Sequence, residues 1–198
     1  MSTLKVNNIE SFTTTEEVTI KDSLAIGVTA QAEGTHSLAV GVGNVKVANT
    51  ASMGAASFGS GSSASGSLSF AQGKGVKAHG LGAFAQGFET EATGLYAHAE
   101  GWRTKALWPG IWAHSEGEES LASGKGAHAE GYKTSASGEY SHAEGALTEA
   151  GPLNLSLASN HAEGLRTRAL REAAHAEGSK TLAIGEGCHT EGFLTTAS

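Results

Sequence analysis

Residues 131–145, GYKTSASGEYSHAEG, contain the pattern that decides the fold. The segment begins and ends with glycines 14 residues apart, and Gly138 lies at its midpoint. The same spacing runs through the chain, interrupted by three gaps that are longer by 4, 2 and 5 residues. Self-similarity at a fixed period predicts a solenoid in which each repeat forms one coil. We call its repeating glycines the main glycines: Gly27, Gly41, Gly59, Gly73, Gly87, Gly101, Gly117, Gly131, Gly145, Gly164, Gly178 and Gly192.

A second glycine often follows seven residues after a main glycine. Each coil is therefore predicted to contain two short strands with a tight turn at each glycine, because such turns usually need a positive φ. The fold class that this predicts is all-β, a parallel β-solenoid of about twelve 14-residue coils covering residues 23–198. The second glycines are Gly34, Gly66, Gly80, Gly94, Gly124, Gly138 and Gly185.

Small side chains mark the expected interior of each coil. Positions four and two before the main glycine are mostly Ala or Ser, as in Ser141 and Ala143, and alanine recurs five residues after it, as in Ala136 and Ala150. Successive strand residues point to opposite faces of a sheet. The Ala/Ser positions are thus predicted to face a narrow interior, where the single cysteine, Cys188, also belongs.

The positions three and one before the main glycine should point outward. They are apolar in the early coils and His plus Glu from Gly101 onward. Soluble monomers avoid a continuous apolar patch of this kind, so this face is predicted to pack against copies of the same chain. The predicted interface ladder consists of Leu24, Ile26, Leu38, Val40, Phe58, Phe70, Phe84, His98, Glu100, His114, Glu116, His128, Glu130, His142, Glu144, His161, Glu163, His175, Glu177, His189 and Glu191.

The repeated His–Glu pairs allow three interpretations. They could form a metal column for Zn, Ni or Cu, a ladder of intersubunit hydrogen bonds and ion pairs, or a solvent-exposed face. Repetition in every coil favours assembly, so no metal site and no cofactor is assigned. A histidine that gains a glutamate partner should have a raised pKa, which predicts assembly that is favoured at low pH and weakens as pH rises.

Two further features are candidate contact surfaces. The insertion around Trp108-Pro109 lies between Trp102 and Trp112, and these three tryptophans could bind a sugar or a protein partner or simply cover the roll. A threonine also recurs three residues after most main glycines. Such a column could bind ice, although strand propensity and turn hydrogen bonding explain it as well. The column comprises Thr90, Thr104, Thr134, Thr148, Thr167, Thr181 and Thr195.

Composition excludes several classes of function. The net charge of −7 argues against a nucleic-acid partner. No apolar run is long enough for a membrane helix, and Met1 to Glu10 lack the features of a secretory signal. The glycines never open a helix as a phosphate-binding loop would, and no nucleophilic arrangement rises above chance. The chain is therefore expected not to be an enzyme.

The segments Ser23-Leu24-Ala25-Ile26-Gly27, Ser37-Leu38-Ala39-Val40-Gly41 and Ser141-His142-Ala143-Glu144-Gly145 resemble the head repeats of YadA-like trimeric adhesins. The resemblance spans roughly residues 23–198 and implies a left-handed β-roll assembled as a homotrimer. Similar His-Ala-Glu-Gly repeats occur in phage tail-fibre-like proteins, and Met1 to Ile9 look like the opening of such fibres.

A phage virion fibre is therefore the expected identity, serving in host attachment or decoration. The sequence shows no signal peptide, neck, stalk or membrane anchor like those of the adhesins, although a bacterial surface adhesin fragment stays an alternative. A metal- or ice-binding solenoid is a further alternative. Residues 1–22 are predicted to form a capping or attachment segment that could bind a virion structural protein. A host-surface glycan or protein is the other expected partner.

Overall fold

The computed structural model describes residues 23–27, 29–43, 45–47, 53–151 and 159–198. The predicted capping segment 1–22 lies outside these residues. Throughout the described part the regular elements are β-strands, in two parallel sheets of twelve strands each. The chain alternates between the sheets, which we call sheet A and sheet B, so that each coil contributes one strand to each.

Sheet A consists of the longer, odd-numbered strands. They are β1 (Leu24–Ile26), β3 (Leu38–Val42), β5 (Ala56–Ser60), β7 (Phe70–Lys74), β9 (Phe84–Phe88), β11 (His98–Trp102), β13 (His114–Glu118), β15 (His128–Tyr132), β17 (His142–Ala146), β19 (His161–Leu165), β21 (His175–Ser179) and β23 (His189–Thr190).

Sheet B consists of the two-residue, even-numbered strands. They are β2 (Gln31–Ala32), β4 (Lys46–Val47), β6 (Ser63–Ala64), β8 (Lys77–Ala78), β10 (Glu91–Ala92), β12 (Lys105–Ala106), β14 (Leu121–Ala122), β16 (Ser135–Ala136), β18 (Glu149–Ala150), β20 (Arg168–Ala169), β22 (Leu182–Ala183) and β24 (Thr196–Ala197).

Equivalent residues of successive coils lie directly beside one another. His128 pairs with His142, and Ala136 pairs with Ala150. Register also continues across the longest insertion, because Glu144 pairs with Glu163. The predicted parallel β-solenoid is therefore confirmed, and twelve strands in each sheet agree with about twelve coils.

The core is a narrow column of alanines between the two sheets. Ala99 and Ala129 of sheet A and Ala106 and Ala136 of sheet B are fully buried. Valines replace the small residues in a few early coils, as at Val47. The predicted interior is confirmed. Because this core is so thin, the larger side chains must lie outside the roll.

The main glycines are not at turns, contrary to the prediction. From β3 to β21 each is the fourth residue of a five-residue strand, and their φ values run from 99° to 144°. A Cβ at Gly131, for example, would collide with the carbonyl oxygen of Gly145 in the next coil. Both the backbone conformation and this close approach exclude larger residues.

The predicted positive φ at the second glycines is also wrong. Gly66, Gly80 and Gly124 do not have a positive φ, but a Cβ at each would collide with backbone of the next coil. The left-handed residues at the corners are instead mostly not glycine, as at Lys133 (φ 52°) and Tyr140 (φ 53°). Glycine is used where coils touch, and ordinary residues form the corners.

Candidate assembly face

The outer face of sheet A carries the predicted interface ladder. In β15, Ala129 points into the core, whereas His128 and Glu130 on either side point outward. Parallel pairing in exact register then stacks each outward residue on its equivalent in the next coil. Two columns result. We call the first the histidine column: His98, His114, His128, His142, His161, His175 and His189.

The histidine rings form a continuous stack. Neighbouring ring centroids are 4.5–5.0 Å apart, with interplanar angles of 1–29°. From His98 to His175 the side chains are 34–39% exposed in the single chain. Their Nε2 atoms, however, are buried and have no hydrogen-bond partner. The stack therefore shields one nitrogen of each of these six rings from water.

The glutamates of the second column lie close to the histidines without hydrogen bonding to them. The Nε2–Oε2 distances are 3.5–4.0 Å, beyond hydrogen-bond length. The carboxylates from Glu100 to Glu177 are 44–51% exposed. Within one chain the pairs are thus electrostatic contacts that solvent screens, and an intersubunit hydrogen-bonded ladder stays a prediction.

Within one chain, the pKa of two members of the column is lowered, opposite to the rise expected on assembly. Burial is the largest cause that lowers the pKa of His114, and neighbouring His98 lowers it further. Burial likewise lowers the pKa of His175, with His161 and His189 adding to the effect. The nearby glutamates oppose these effects but do not outweigh them. The structure therefore favours neutral imidazole at these positions.

Phenylalanine and glutamine occupy the same slots in earlier coils. Phe84 pairs with His98, and Gln86 pairs with Glu100. Phe70 stacks on Phe84 at 5.0 Å, and Phe84 contacts His98 edge-on at 4.7 Å. Phe58 lies in the second column instead, beside Gln72, although its ring reaches Phe70 at 5.6 Å. The ring stack is therefore continuous from Phe58 to His189.

The geometry does not favour the metal interpretation of the histidine column. Among the described residues, no group of three or more His, Cys, Asp or Glu side chains is placed to hold a metal ion. The Nε2 atoms that face the glutamates are inaccessible in six of the pairs. A metal shared with other copies would have to displace these contacts or bind the other ring nitrogen.

The threonine column, except Thr195 in the last coil, lies inside the roll. Thr90, Thr104 and Thr134 are at most 1% exposed, and the hydroxyl of Thr104 donates to the carbonyl of Glu100 at 3.1 Å. Ice binding needs an accessible threonine surface, so this alternative for the column is wrong. Thr134 lies two residues before the inward-facing Ala136, so the alternation that placed this alanine inside could have placed the threonine there as well.

The three tryptophans do not form one cluster. Trp102 ends β11 and stacks on Phe88 at 6.4 Å, with the guanidinium of Arg103 4.2 Å from its ring centroid. Trp112 lies two residues before β13, at the opposite end of the sheet A strand. Trp108 lies in the insertion that precedes Trp112, and its backbone N–H donates to Thr93 Oγ1 at 3.0 Å.

Two tyrosines that the sequence did not single out join Trp108 and Trp112. Tyr96 and Tyr140 occupy the same corner position as Trp112 in other coils, and all four side chains are 52–62% exposed. We call this set the aromatic corner. Tyr140 lies against Gly126, where a Cβ would collide with its ring, and the Lys125 amine is 5.6 Å from its centroid. The sequence feature that could have indicated these tyrosines is a glycine one coil before each of them, Gly82 before Tyr96 and Gly126 before Tyr140.

These features define a parallel β-solenoid with a stacked, ring-bearing outer face. A family model described as the YadA head domain repeat matches residues 21–44, in two copies. The predicted resemblance to YadA-like head repeats is therefore confirmed, and the described coils that follow continue the same fold. YadA head domains are trimeric, surface-exposed adhesins with a structural rather than a catalytic role. No curated protein matches this sequence.

A membrane-spanning helix is not found in the part of the chain that the structure describes.

Proposed function

We propose that this chain is a segment of a homotrimeric fibre that serves in attachment or decoration of a phage virion. The observation that carries the proposal is the outer face of sheet A, where one continuous stack of phenylalanine and histidine rings runs along the roll. These rings are only partly covered by their own chain. Association with other copies would bury them, as expected for apolar surface in an assembly.

The match to the YadA head repeat supports a trimeric, adhesin-like fibre. The virion assignment is supported by the resemblance of Met1 to Ile9 to the opening of virion fibres. In this proposal residues 1–22 cap the first coil and attach the fibre to a virion structural protein. The match to the adhesin repeat also favours a second candidate, a bacterial surface adhesin, which carries the same roll and the same trimer.

Molar mass in solution tests the assembly. Light scattering of the purified chain should give three times the 20.0 kDa mass of one copy, and the value should persist on dilution. A stable monomer would overturn the proposal, because the ring stack would then have nothing to pack against. Elemental analysis of the same sample, before and after chelator treatment, tests whether the trimer carries metal.

The aromatic corner is the contact surface that we propose for a host glycan or protein. Trp108 and Trp112 belong to it together with Tyr96 and Tyr140, whereas Trp102 packs at the other end of the strand. Exposed aromatic side chains commonly supply binding energy at interfaces. Binding of labelled fibre to host cells should therefore fall in Trp108→Ala and Trp112→Ala.

Trp102→Ala provides the matched control for this assay. It removes an aromatic ring of the same kind from the opposite corner and should leave cell binding within about twofold of the parent. Equal losses in all three variants would show that the corner is not the contact surface. Light scattering on each variant separates loss of binding from loss of the trimer.

A further inference from the structure

The histidine column has a neutral counterpart in the same chain. The slots of His98 and Glu100 are filled in the preceding coil by Phe84 and Gln86. Phe70 and Gln72 fill them one coil earlier. Both slots thus change together, from a neutral ring with an amide to a titratable ring with a carboxylate. Packing is retained, because the Phe70–Phe84 stack at 5.0 Å matches the His–His stacks.

Protonation is the property that distinguishes the two kinds of coil. Six histidine Nε2 atoms are buried without a partner, and the nearest carboxylate oxygens are 3.5 Å or more away. A proton on such a nitrogen would be removed from water without an acceptor at hydrogen-bond distance. Burial of a charge without a partner is unfavourable. For His114 and His175 the contacts within one chain therefore disfavour imidazolium.

Neighbouring coils add a second penalty. The His114 ring lies 4.6 Å from that of His98 and 4.7 Å from that of His128, so protonation of adjacent rings would stack like charges. The carboxylates of Glu116, Glu100 and Glu130 favour protonation, but nearly half of the Glu116 side chain is exposed to solvent. The titratable and charged groups on β11, β13 and β15 around His114 are His98, His128, Glu100, Glu116, Glu118, Glu130 and Tyr132.

We propose that the histidine column is an acid-sensitive section of the roll, and that the Phe/Gln coils are a section without this sensitivity. The lowered pKa values of His114 and His175 agree with this direction. A folded-state pKa below the unfolded value means that the unfolded chain binds more protons. The stabilisation is complete above the unfolded pKa of about 6.5 and is lost as pH falls from there through the lowered folded-state pKa.

These contacts lie within one chain, whereas the proposed trimer would cover the same face. Light scattering at each pH therefore reports separately on assembly. Protonation of the histidine column should destabilise the coils from His98 to His189 first. The side chains at the equivalent positions between Phe70 and Gln86 are not titratable. Acid would then unfold the histidine coils while the Phe/Gln coils stay folded.

Thermal unfolding of the full chain tests the proposal. The melting midpoint should be lower at about pH 5.5 than at about pH 7.5, by about 3 °C or more. A variant that converts four coils to the natural Phe/Gln pair should show less than half of this difference. Its substitutions are His114→Phe, Glu116→Gln, His128→Phe, Glu130→Gln, His142→Phe, Glu144→Gln, His161→Phe and Glu163→Gln.

The reverse substitution keeps the test valid if the four-coil variant does not fold. Phe84→His with Gln86→Glu extends the column by one coil and should enlarge the acid-induced drop. His36 is the control, because it lies outside the column and is exposed. His36→Gln should keep the parent difference. A parent midpoint that is equal or higher in acid would overturn the proposal, as would a reverse variant without effect.

Hydrogen exchange locates the effect along the roll. Protection factors, corrected for the intrinsic pH dependence of exchange, should fall in acid for peptides from residues 98–146 and 161–190. Those from residues 70–74 and 84–88, which contain no histidine, should change little. A uniform loss along the whole chain would contradict a sectioned roll, because the histidine coils would then be no more sensitive than the Phe/Gln coils.

Discussion

A stacked coil can require glycine for a positive φ or for close contact with the next coil, and Gly124 meets only the second condition. Its φ is not positive, yet a Cβ there would collide with the backbone of Gly138 in the next coil. Gly124→Ala should therefore lower the free energy of unfolding by about 3 kcal/mol or more, because backbone cannot move aside as a side chain can. Denaturant unfolding at fixed protein concentration measures the loss.

Gly61 provides the control at the same scale. Its φ is 64°, but no atom lies within 4 Å of the position that a Cβ would take. Gly61→Ala should cost about 1 kcal/mol, the price of a left-handed alanine. The equivalent corner position holds Lys133 at φ 52°, so the coil tolerates side chains there. Equal losses in the two variants would mean that the close contact between coils adds no extra cost at Gly124. The contact would then not explain why glycine is used there.

At the scale of the strand pairs, a buried hydroxyl precedes most sheet B strands. In some coils it has a hydrogen-bond partner and in others it has none. Thr134 Oγ1 has no hydrogen-bond partner, whereas Thr104 Oγ1 donates to the carbonyl of Glu100. Val76 fills the same slot before β8 and is fully buried. Thr134→Val should thus leave the free energy of unfolding unchanged or raise it by up to about 1 kcal/mol, because an unsatisfied hydroxyl is replaced by a methyl group.

Thr104→Val is the matched substitution for this slot. It removes a hydrogen bond and leaves the carbonyl of Glu100 without that donor, so we expect a loss of about 1 kcal/mol. Denaturant midpoints of the two variants, compared at one protein concentration, provide the measurement. If Thr134→Val is destabilised as much as Thr104→Val, the two hydroxyls have equivalent partners in solution.

Sequence periodicity was sufficient to predict the strands and the inner alanines. The main glycines mark the register, and Ala129 and Ala136 reveal which positions face inward. The corners could not be predicted, because a left-handed Lys133 or Tyr140 carries no glycine signal. The threonine column could have been placed from the same pattern, since Thr134 lies two residues before the inward-facing Ala136.

The candidate face was predicted as a set of outward positions, but its electrostatics were not. Two residues apart on a strand, His114 and Glu116 suggest an ion pair that raises the histidine pKa. Burial of His114 in the ring stack and the charge of the neighbouring His98 oppose that effect. The direction of the pKa shift depends on the balance between burial, like charges and carboxylates. That balance is set by interatomic distances, which residue spacing in the sequence does not give.

At the scale of the whole molecule, the two sheets should differ in what they contact. Phe84 lies in the ring stack on the outer face of sheet A, whereas Lys77 is an exposed residue of sheet B. Phe84→Lys would place an ammonium group in the proposed interface without a carboxylate from Gln86, and a buried charge without a partner is costly. Light scattering should then show a shift from three copies towards the 20.0 kDa chain at low protein concentration.

Lys77→Glu reverses a charge on the other sheet and should leave the molar mass of the assembly unchanged. Since the roll is too thin to bury large side chains, the outer face of sheet A can be covered only by another chain. If Lys77→Glu dissociates the assembly and Phe84→Lys does not, the interface lies on sheet B instead. The ring stack would then be a surface feature of the fibre, accessible to a partner of another kind.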